Sequence, residues 1–569
     1  MSELCCPHES SDFYDNDFSN KLEVKIKDKI VYISKGTNLY KIYKKYCYGK
    51  NNNAVLAKLN TKYLDLRDTL EESGNFEVVD LSNTVGNMVY ERTLQFVLIK
   101  ATYDIFSDAQ LIIEHSLGKA VYGEVCKKVP LNSTDIKKIK DRMIDIINRD
   151  IPINRIEVKR EKAREIFERY NMPGKIKILD QSNLDWIQLY ELEGRYDYFY
   201  GPLAYSTGVL KLFDLVYYDS GFLLVYPDQK EPHILPKIVE YKKLNKIFTE
   251  TKNWQNILEV SDVGSLNEKV KNNEMPYMIR VAEALHEKKI AYIADMISKK
   301  DSAKIVLISG PTSSGKTTFS RRLAIQLGVN GYKPIAISLD DYFVDRAHTP
   351  RDENGNYNFE SIYALDLKLF NENLQMLMNG KEVEIPKFDF KTGQRNWTGK
   401  KIKLPKNGII IIEGIHALND ILTSSIPNKN KFKIYVSALT QLNIDNHNRI
   451  ATTDVRIIRR IVRDYISRGY NAEDTLKMWP SIKKGEEKNI FVFQENADVM
   501  FNSTLVYELC VLKKYALKEL RKIKETSEVY WQAERLINFL NFFQDVDEDL
   551  VADNSILREF IGGSCFYKY

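Results

Sequence analysis

The sequence predicts a multidomain protein of mixed α/β and α+β class, whose C-terminal part is a parallel sheet covered by helices. Three observations carry that expectation. A chain of 569 residues is longer than one hydrophobic core organises, so about three or four domains are expected. Between residue 304 and about 500, short aliphatic runs (KIVLI, KPIAISL, GIIIIEGI, KFKIYVSAL) alternate with helical patterns, as parallel strands joined by helical crossovers do. Ahead of that region, hairpin-like and helical segments follow one another in smaller, mixed modules.

Taken in order, residues 1–88 read as a small mixed domain. KLEVKIKDKIVYI alternates like a strand or hairpin, LYKIYKKY suits a short helix, and FEVVDLSN returns to strand. Residues 89–235 form a second module. It opens with the helix ERTLQFVLIKATYDIF and the strand AQLIIE, and LNSTDIKKIKDRMIDIINRD is a helix with Ser133 or Thr134 as its cap. KREKAREIFERY is a further helix, and YSTGVLKLFDLVYYDSGFLLVYP reverts to strands. Residues 236–300 read as a helical connector, clearest in IRVAEALHEKKIAYIADMISKK. Residues 301–505 are the α/β domain, and residues 506–569 a mostly helical extension ending in REFIGGSCF.

Composition excludes several classes. With 83 basic and 78 acidic residues the formal charge is +5, too close to neutral to argue for a dedicated nucleic-acid binder. The six cysteines have no metal-finger spacing and are too sparse for a disulfide scaffold. Cys5, Cys6 and His8 could bind a metal, although a ragged terminus is the expected reading. The opening MSELCCPHES lacks signal-peptide character, and no apolar run approaches the ~20 residues that cross a bilayer. A cytoplasmic protein without membrane partners is expected.

The strongest chemical signal is GPTSSGKTT, residues 310–318, a full GxxxxGK[ST] pattern between a strand and a helix. Gly310 and Gly315 permit a close backbone path. The amides of Ser313, Ser314, Gly315 and Lys316 can turn toward phosphate oxygens at a helix start, with Thr318 in the same stretch. Lys316 is expected on the terminal phosphates and Thr317 on Mg2+. In SLDDYF, Asp340 ends a predicted strand, and one of the Asp pair could orient or deprotonate an acceptor hydroxyl. Glu413 ends the apolar GIIIIE strand, where an acid can hold Mg2+ directly or through water. In RIIRRIVRDYISRG, Arg456, Arg460 and Arg463 share roughly one helical face while Arg459 diverges, and Arg468 precedes Gly469. Alone this is a solvated helix; beside a phosphate loop its arginines can close over developing charge. Three features stay open. His416 either contacts an acceptor or packs its loop, Trp479 lines a flap or anchors a helix, and QLNIDNHNRIATTD (441–454) suits an interdomain or subunit contact.

These motifs in order, GPTSSGKTT, SLDDYF, FESIYALD, IPKFDF, IIEGIHAL and RRIVRDYISRG, resemble the uridine kinase and phosphoribulokinase group of P-loop proteins over about 304–505. The resemblance implies transfer of the terminal phosphoryl of ATP, or of GTP, to a sugar or nucleoside hydroxyl, with Mg2+. By it, Asp340 is the catalytic aspartate, Glu413 the magnesium-associated acid, Glu360 a sugar binder in place of aspartate, Arg460 and Arg463 arginines near acceptor and phosphates, and Arg468 a lid arginine. Phe388 and Gly393 stand where the group has a pyrimidine-reading tyrosine and histidine, so uridine itself is not carried over.

The front of the chain resembles another family. Residues 20–80 look like the small TGS domain. Residues 90–235, through ERTLQFVLIKATYDIF and YDYFYGPLAYSTG, look like the second additional domain of threonyl-tRNA synthetases. That family has two histidines on a helix and a Cys/His pair on a later loop. Here Arg92, Phe96, Phe199 and Leu203 stand at those places, and they cannot form a zinc set. The resemblance leaves a ligand sensor, an RNA-contact module or a structural partner as roles for this half, and leaves a homo-oligomer open. The combined expectation is a Mg2+-dependent nucleoside kinase. Its rival is an RNA-associated ATPase or regulatory nucleotide-binding protein.

Overall fold

The computed structural model describes residues 20–49, 53–351, 355, 357–389 and 392–567. Cys5, Cys6 and His8 lie outside the described residues.

The expected hairpin is β1 (Lys21–Ile26) and β2 (Lys29–Ser34), turned at Lys27 with φ 56°. LYKIYKKY is the helix α1 (Leu39–Tyr46), started by Asn38, whose side chain accepts the Lys41 N–H. With β3 (Leu56–Leu59), β4 (Lys62–Leu64) and β5 (Gly74–Val79) the strands form one sheet, ordered β2-β1-β5-β3-β4; β1 and β5 run parallel and the other pairs antiparallel.

The second module opens with α2 (Thr84–Ile105), buried almost all round from Val89 to Thr102. After it come β6 (Gln110–Leu117), β7 (Ala120–Cys126), α3 (Ser133–Asn148), β8 (Asn154–Lys159), α4 (Arg160–Arg169), α5 (Pro173–Gln181), β9 (Trp186–Leu192), β10 (Arg195–Asp197), β11 (Asp214–Tyr218) and β12 (Gly221–Val225). Two antiparallel sheets result, β11-β12-β7-β6 and β10-β9-β8. The cap of α3 is Asn132, not Ser133 or Thr134. Its extended backbone and amide oxygen serve the N–H groups of Thr134 at 2.9 Å and Asp135 at 3.1 Å, while Ser133 is already helical.

Helices α6 (Lys242–Leu258), α7 (Val263–Lys271) and α8 (Met275–Ser298) lead into the α/β region. There follow β13 (Ile305–Ser309), α9 (Lys316–Val329), β14 (Lys333–Ser338), α10 (Leu367–Met378), β15 (Glu382–Asp389), β16 (Gln394–Lys403), β17 (Gly408–Glu413), β18 (Lys431–Ser437), α11 (Thr452–Arg463), α12 (Ala472–Asn489) and β19 (Val499–Asn502). The sheet order is β14-β17-β13-β18-β19, parallel throughout. Every residue of β13 and β17 is buried, as expected of central parallel strands covered on both faces. The β15–β16 hairpin projects from this unit and was not expected from the sequence.

The last helices, α13 (Glu508–Leu520), α14 (Tyr530–Leu540) and the short α15 (Arg558–Ile561), do not form a separate lobe. Leu512, Phe539 and Phe560 belong to the same core cluster as Val306, Leu327 and Ile411.

The 441–454 segment packs against residues far earlier in the chain. Asn443 donates to the Ile113 carbonyl at 2.9 Å, Asn446 accepts the Ile113 N–H at 2.8 Å, and Arg449 pairs with Glu91 at 2.8 Å. Beneath them Lys175 bridges Asp197 at 2.9 Å and Asp445 at 3.0 Å, and the His447 ring lies 2.7 Å from Asp197. All four side chains are nearly inaccessible to solvent, so the Lys175 ammonium and the aspartates need one another to offset their lost hydration.

Candidate active site

The site sits at the carboxyl ends of the parallel strands, where open α/β sheets place ligands. From the end of β13 the chain turns through Gly310, where a Cβ would run into the Val436 carbonyl. Ser313 has φ 59° and Gly315 φ 78°, so two left-handed residues curl the loop before α9 begins at Lys316. The Ser313 and Ser314 hydroxyls are buried and make no hydrogen bond, which suits a loop shaped for a polyanion. Lys316 reaches back to the Pro311 carbonyl at 2.9 Å. Burial pulls its ammonium below the usual lysine range, against the attraction of Glu413 and Asp340.

Two elements bring acids to this loop. Glu413 ends β17 and accepts the Ser338 hydroxyl at 2.8 Å. Burial, with Asp340 adding repulsion, pushes its carboxyl up to about 7. Asp340 and Asp341 lie on the turn after β14, and the structure separates them. Asp340 is electrostatically coupled to Lys316, Glu413, Glu360 and Arg468. Asp341 turns away to pair with Lys387 at 3.1 Å and lies 3.5 Å from the Phe388 N–H. Thr317 follows Lys316 in the first turn of α9. Thr317 and Glu413 carry hard oxygen donors of the kind Mg2+ takes.

The arginine helix divides as its spacing implies. Arg456 donates to the Thr312 carbonyl at 3.1 Å and pairs with Glu486; Arg460 donates to the Thr312 hydroxyl at 2.8 Å. Arg463 and Arg460 converge on buried Asp464, at 2.9 and 3.0 Å, with Arg468 at 3.8 Å. Burial alone would raise the Asp464 carboxyl, but Arg463, Arg460 and Arg468 outweigh it and hold it below the usual range. The Arg463 guanidinium, then burial, brings Arg468 down to about 10. Gly469, at φ 74°, ends the segment.

Arg459 points the other way, fully buried. It donates to the carbonyls of Ser313 at 3.3 Å and Ser503 at 2.9 Å, and makes two hydrogen bonds to the Glu508 carboxylate at 3.0 and 2.5 Å. Glu486 accepts the Thr312 N–H at 2.8 Å. Arg459, Glu486 and Glu508 therefore hold the loop from behind. Helical spacing sets Arg459 apart, but neither glutamate carries a sequence signal beyond an acid on an otherwise packed helix.

Glu360 lies against Gly485, and its Oε2 is buried without a hydrogen bond. Burial and the nearby Glu486 carboxylate push its pKa up to about 7. Phe388 is buried with its ring 5.5 Å from Phe343. Gly393 has φ 71°, and a Cβ there would lie 2.7 Å from Arg346 Nε, so a histidine does not fit this turn unaltered. His416 is buried beside the Ser361 backbone, and burial brings its imidazole down to about 4. Trp479 is buried with its ring 5.4 Å from Arg456, as an anchor for α12.

In the front half, Arg92, Phe96, Phe199 and Leu203 do meet. Phe96 and Phe199 pack edge-on at 5.3 Å, Leu203 is fully buried, and Arg92 donates to the Pro202 carbonyl at 2.8 Å beneath the Tyr200 ring. Tyr200 in turn lies 3.4 Å from the Arg449 carbonyl, so the 441–454 segment abuts this place.

Fold and site define a nucleotide-binding kinase built on a P-loop. Residues 305–508 match the Phosphoribulokinase / Uridine kinase family, and the chain belongs to that family through this part. It is 32% identical over 178 residues to a uridine kinase of Macrococcus caseolyticus, covering 31% of this chain and 77% of that protein. It is 28% identical over 195 residues to a uridine kinase of Halobacterium salinarum, covering 34% and 77%. A threonine–tRNA ligase of Desulforamulus reducens is 29% identical over 182 residues, 32% of this chain and 29% of the ligase. Among the described residues no helix is long and apolar enough to cross a membrane.

Proposed function

We propose that the chain transfers the terminal phosphoryl group of ATP to the 5′-hydroxyl of a nucleoside. The observation that carries this reading is the convergence of Asp340, Glu413, Lys316 and Arg468 on one phosphate loop, with Glu360 as a second buried carboxyl beside them. A hydrolase needs no carboxylate kept for an organic acceptor; a transferase does.

Gly310, Ser313, Ser314, Gly315, Lys316, Thr317 and Thr318 would hold the triphosphate, and Thr317 and Glu413 would hold Mg2+, which supplies positive charge to phosphate oxygens. Asp340 accepts the proton of the acceptor hydroxyl as it attacks. Glu360, ionised, orients the sugar hydroxyls. Arg460, Arg463 and Arg468 face the transferred group and help exclude water, which would otherwise compete as acceptor. Phe388 contributes shape to the acceptor wall from behind, and GTP is the alternative donor.

We read residues 1–88 as TGS-like, 89–235 as synthetase second-additional-domain-like, 236–300 as a connector, 301–505 as the kinase unit and 506–569 as its helical extension. The ligase similarity supports the front assignment, as does the meeting of Arg92 with Pro202 and of Phe96 with Phe199. The buried contacts of Asp445 and Arg449 favour a structural partner of the kinase over a free RNA-binding surface.

The test is incubation with γ-labelled ATP and separate nucleosides. A labelled nucleoside monophosphate is the expected product. Phosphate release stimulated by nucleic acid, with no labelled acceptor, would replace this reading by the ATPase one.

A further inference from the structure

The end of the chain returns to the phosphate loop. Arg558 holds the turn before α15 by donating to the carbonyls of Val551 at 2.7 Å and Glu548 at 2.9 Å, and Ser555 accepts the Leu557 N–H at 3.1 Å. Ile556 is fully buried and packs on the loop itself: a Cβ on Gly315 would lie 2.5 Å from its Cγ2. Phe560, also fully buried, lies under Arg459, with 5.0 Å from guanidinium to ring centre. Between these two anchors Glu559 points at the start of α9. Its carboxylate accepts the Thr318 N–H at 3.1 Å and the Thr318 hydroxyl at 2.9 Å, and the Tyr567 hydroxyl lies 2.6 Å from that same hydroxyl.

Thr318 is the third residue of α9, and its N–H is one of the donors a helix start leaves without an intrahelical partner. Such donors, with the positive end of the helix dipole, are what bind phosphate in a loop of this kind. Glu559 also interacts electrostatically with Lys316 and Glu413, so it lies within the charged interior of the site. The carboxylate has the charge sign of a phosphate oxygen and uses the same donor. Both cannot hold that donor at once, and like charge opposes their sharing the loop.

We propose that Glu559 stands in for a phosphate group, so that the C-terminal segment 555–567 and the nucleotide compete for the loop. The proposal rests on the reading of residues 310–318 as the nucleotide site and adds its regulation. Nucleotide entry requires Glu559 to leave Thr318, and the apparent affinity is reduced by the fraction of molecules in which the segment is docked.

Two measurements on the full chain test this. Titration with a fluorescent ATP analogue and Mg2+ should give about tenfold tighter binding for Glu559→Ala, with Glu559→Gln shifted in the same direction. Unchanged or weaker binding in both variants would overturn the proposal, because Glu559 would then be neutral or part of the nucleotide's own site. In the wild type, a non-hydrolysable ATP analogue with Mg2+ should speed hydrogen exchange at the Glu559, Phe560 and Gly562 amides, which donate to Ile556, Leu557 and Arg558 carbonyls. Undiminished protection there would likewise overturn it. Lys316→Ala separates the two readings: if that variant binds the analogue as the parent does, the nucleotide site itself is misassigned and the competition falls with it.

Discussion

The two adjacent carboxylates after β14 offer a decisive comparison. Asp340 faces Lys316, Glu413 and Arg468, whereas Asp341 faces Lys387, whose side chain is 67% exposed. Asp340→Asn removes the proposed proton acceptor but keeps the shape. General-base contributions of about 100- to 10,000-fold correspond to about 2.7–5.5 kcal/mol of barrier, so kcat should fall within that range. ATP affinity should change little, since the loop and Lys316 are untouched. Asp341→Asn removes one ion pair, open to solvent at its lysine and worth about 0–1 kcal/mol, and kcat should stay within about fivefold of the parent. The assay is nucleoside-dependent formation of labelled monophosphate, with ATP binding measured separately by calorimetry. The assignment is refuted if Asp340→Asn keeps more than about a tenth of the activity, or if Asp341→Asn is the more damaged protein.

Three further outcomes are expected. Arg459→Leu strands Glu508 in the core and should cost about 3–5 kcal/mol of stability, while Arg459→Leu with Glu508→Leu loses less; equal melting temperatures for the two would contradict the buried-pair account. Glu360, with a pKa near 7 against an ordinary 4.5, is protonated below neutrality, so kcat/KM for the nucleoside should rise as pH passes upward through about 7 and flatten in Glu360→Gln. Because the folded protein keeps that proton where the unfolded chain has lost it, Glu360 favours folding most below pH 4.5 and loses that contribution as pH rises to 7. His286 has the opposite sign. Burial between Trp254 and Phe501, with Arg322 adding repulsion, brings its imidazole down from 6.5 to about 3, so acidification below 6.5 should weaken the fold by about 1.4 kcal/mol per pH unit, a slope that His286→Phe should lessen.

How far the sequence reaches depends on whether a signal is local. The phosphate loop, the strand-ending Glu413 and the divergence of Arg459 were legible because each follows from spacing within one strand or helix. The hairpin of residues 21–34 and the helix 39–46 were legible for the same reason. The cap of α3 was missed by one residue, since Asn, Ser and Thr stand together at 132–134 and only backbone geometry chooses among them. Glu486 and Glu559 reach the loop and its helix start from 170 residues or more along the chain, and Glu508 reaches it only through Arg459, so no periodicity links them to it. The β15–β16 hairpin was hidden because β16 is mostly exposed and polar and carries no alternating apolar face.

The buried polar knot of Lys175, Asp197, Asp445 and His447 bears on how this chain can be taken apart. A fragment cut at the family's own borders, residues 305–508, would carry Asp445, His447 and Arg449 away from the groups that neutralise and cover them. It would also lose Phe539 and Phe560 from beneath its sheet. The catalytic half is thus a tenant of the whole polypeptide, and its behaviour in isolation would report on exposed wounds more than on chemistry.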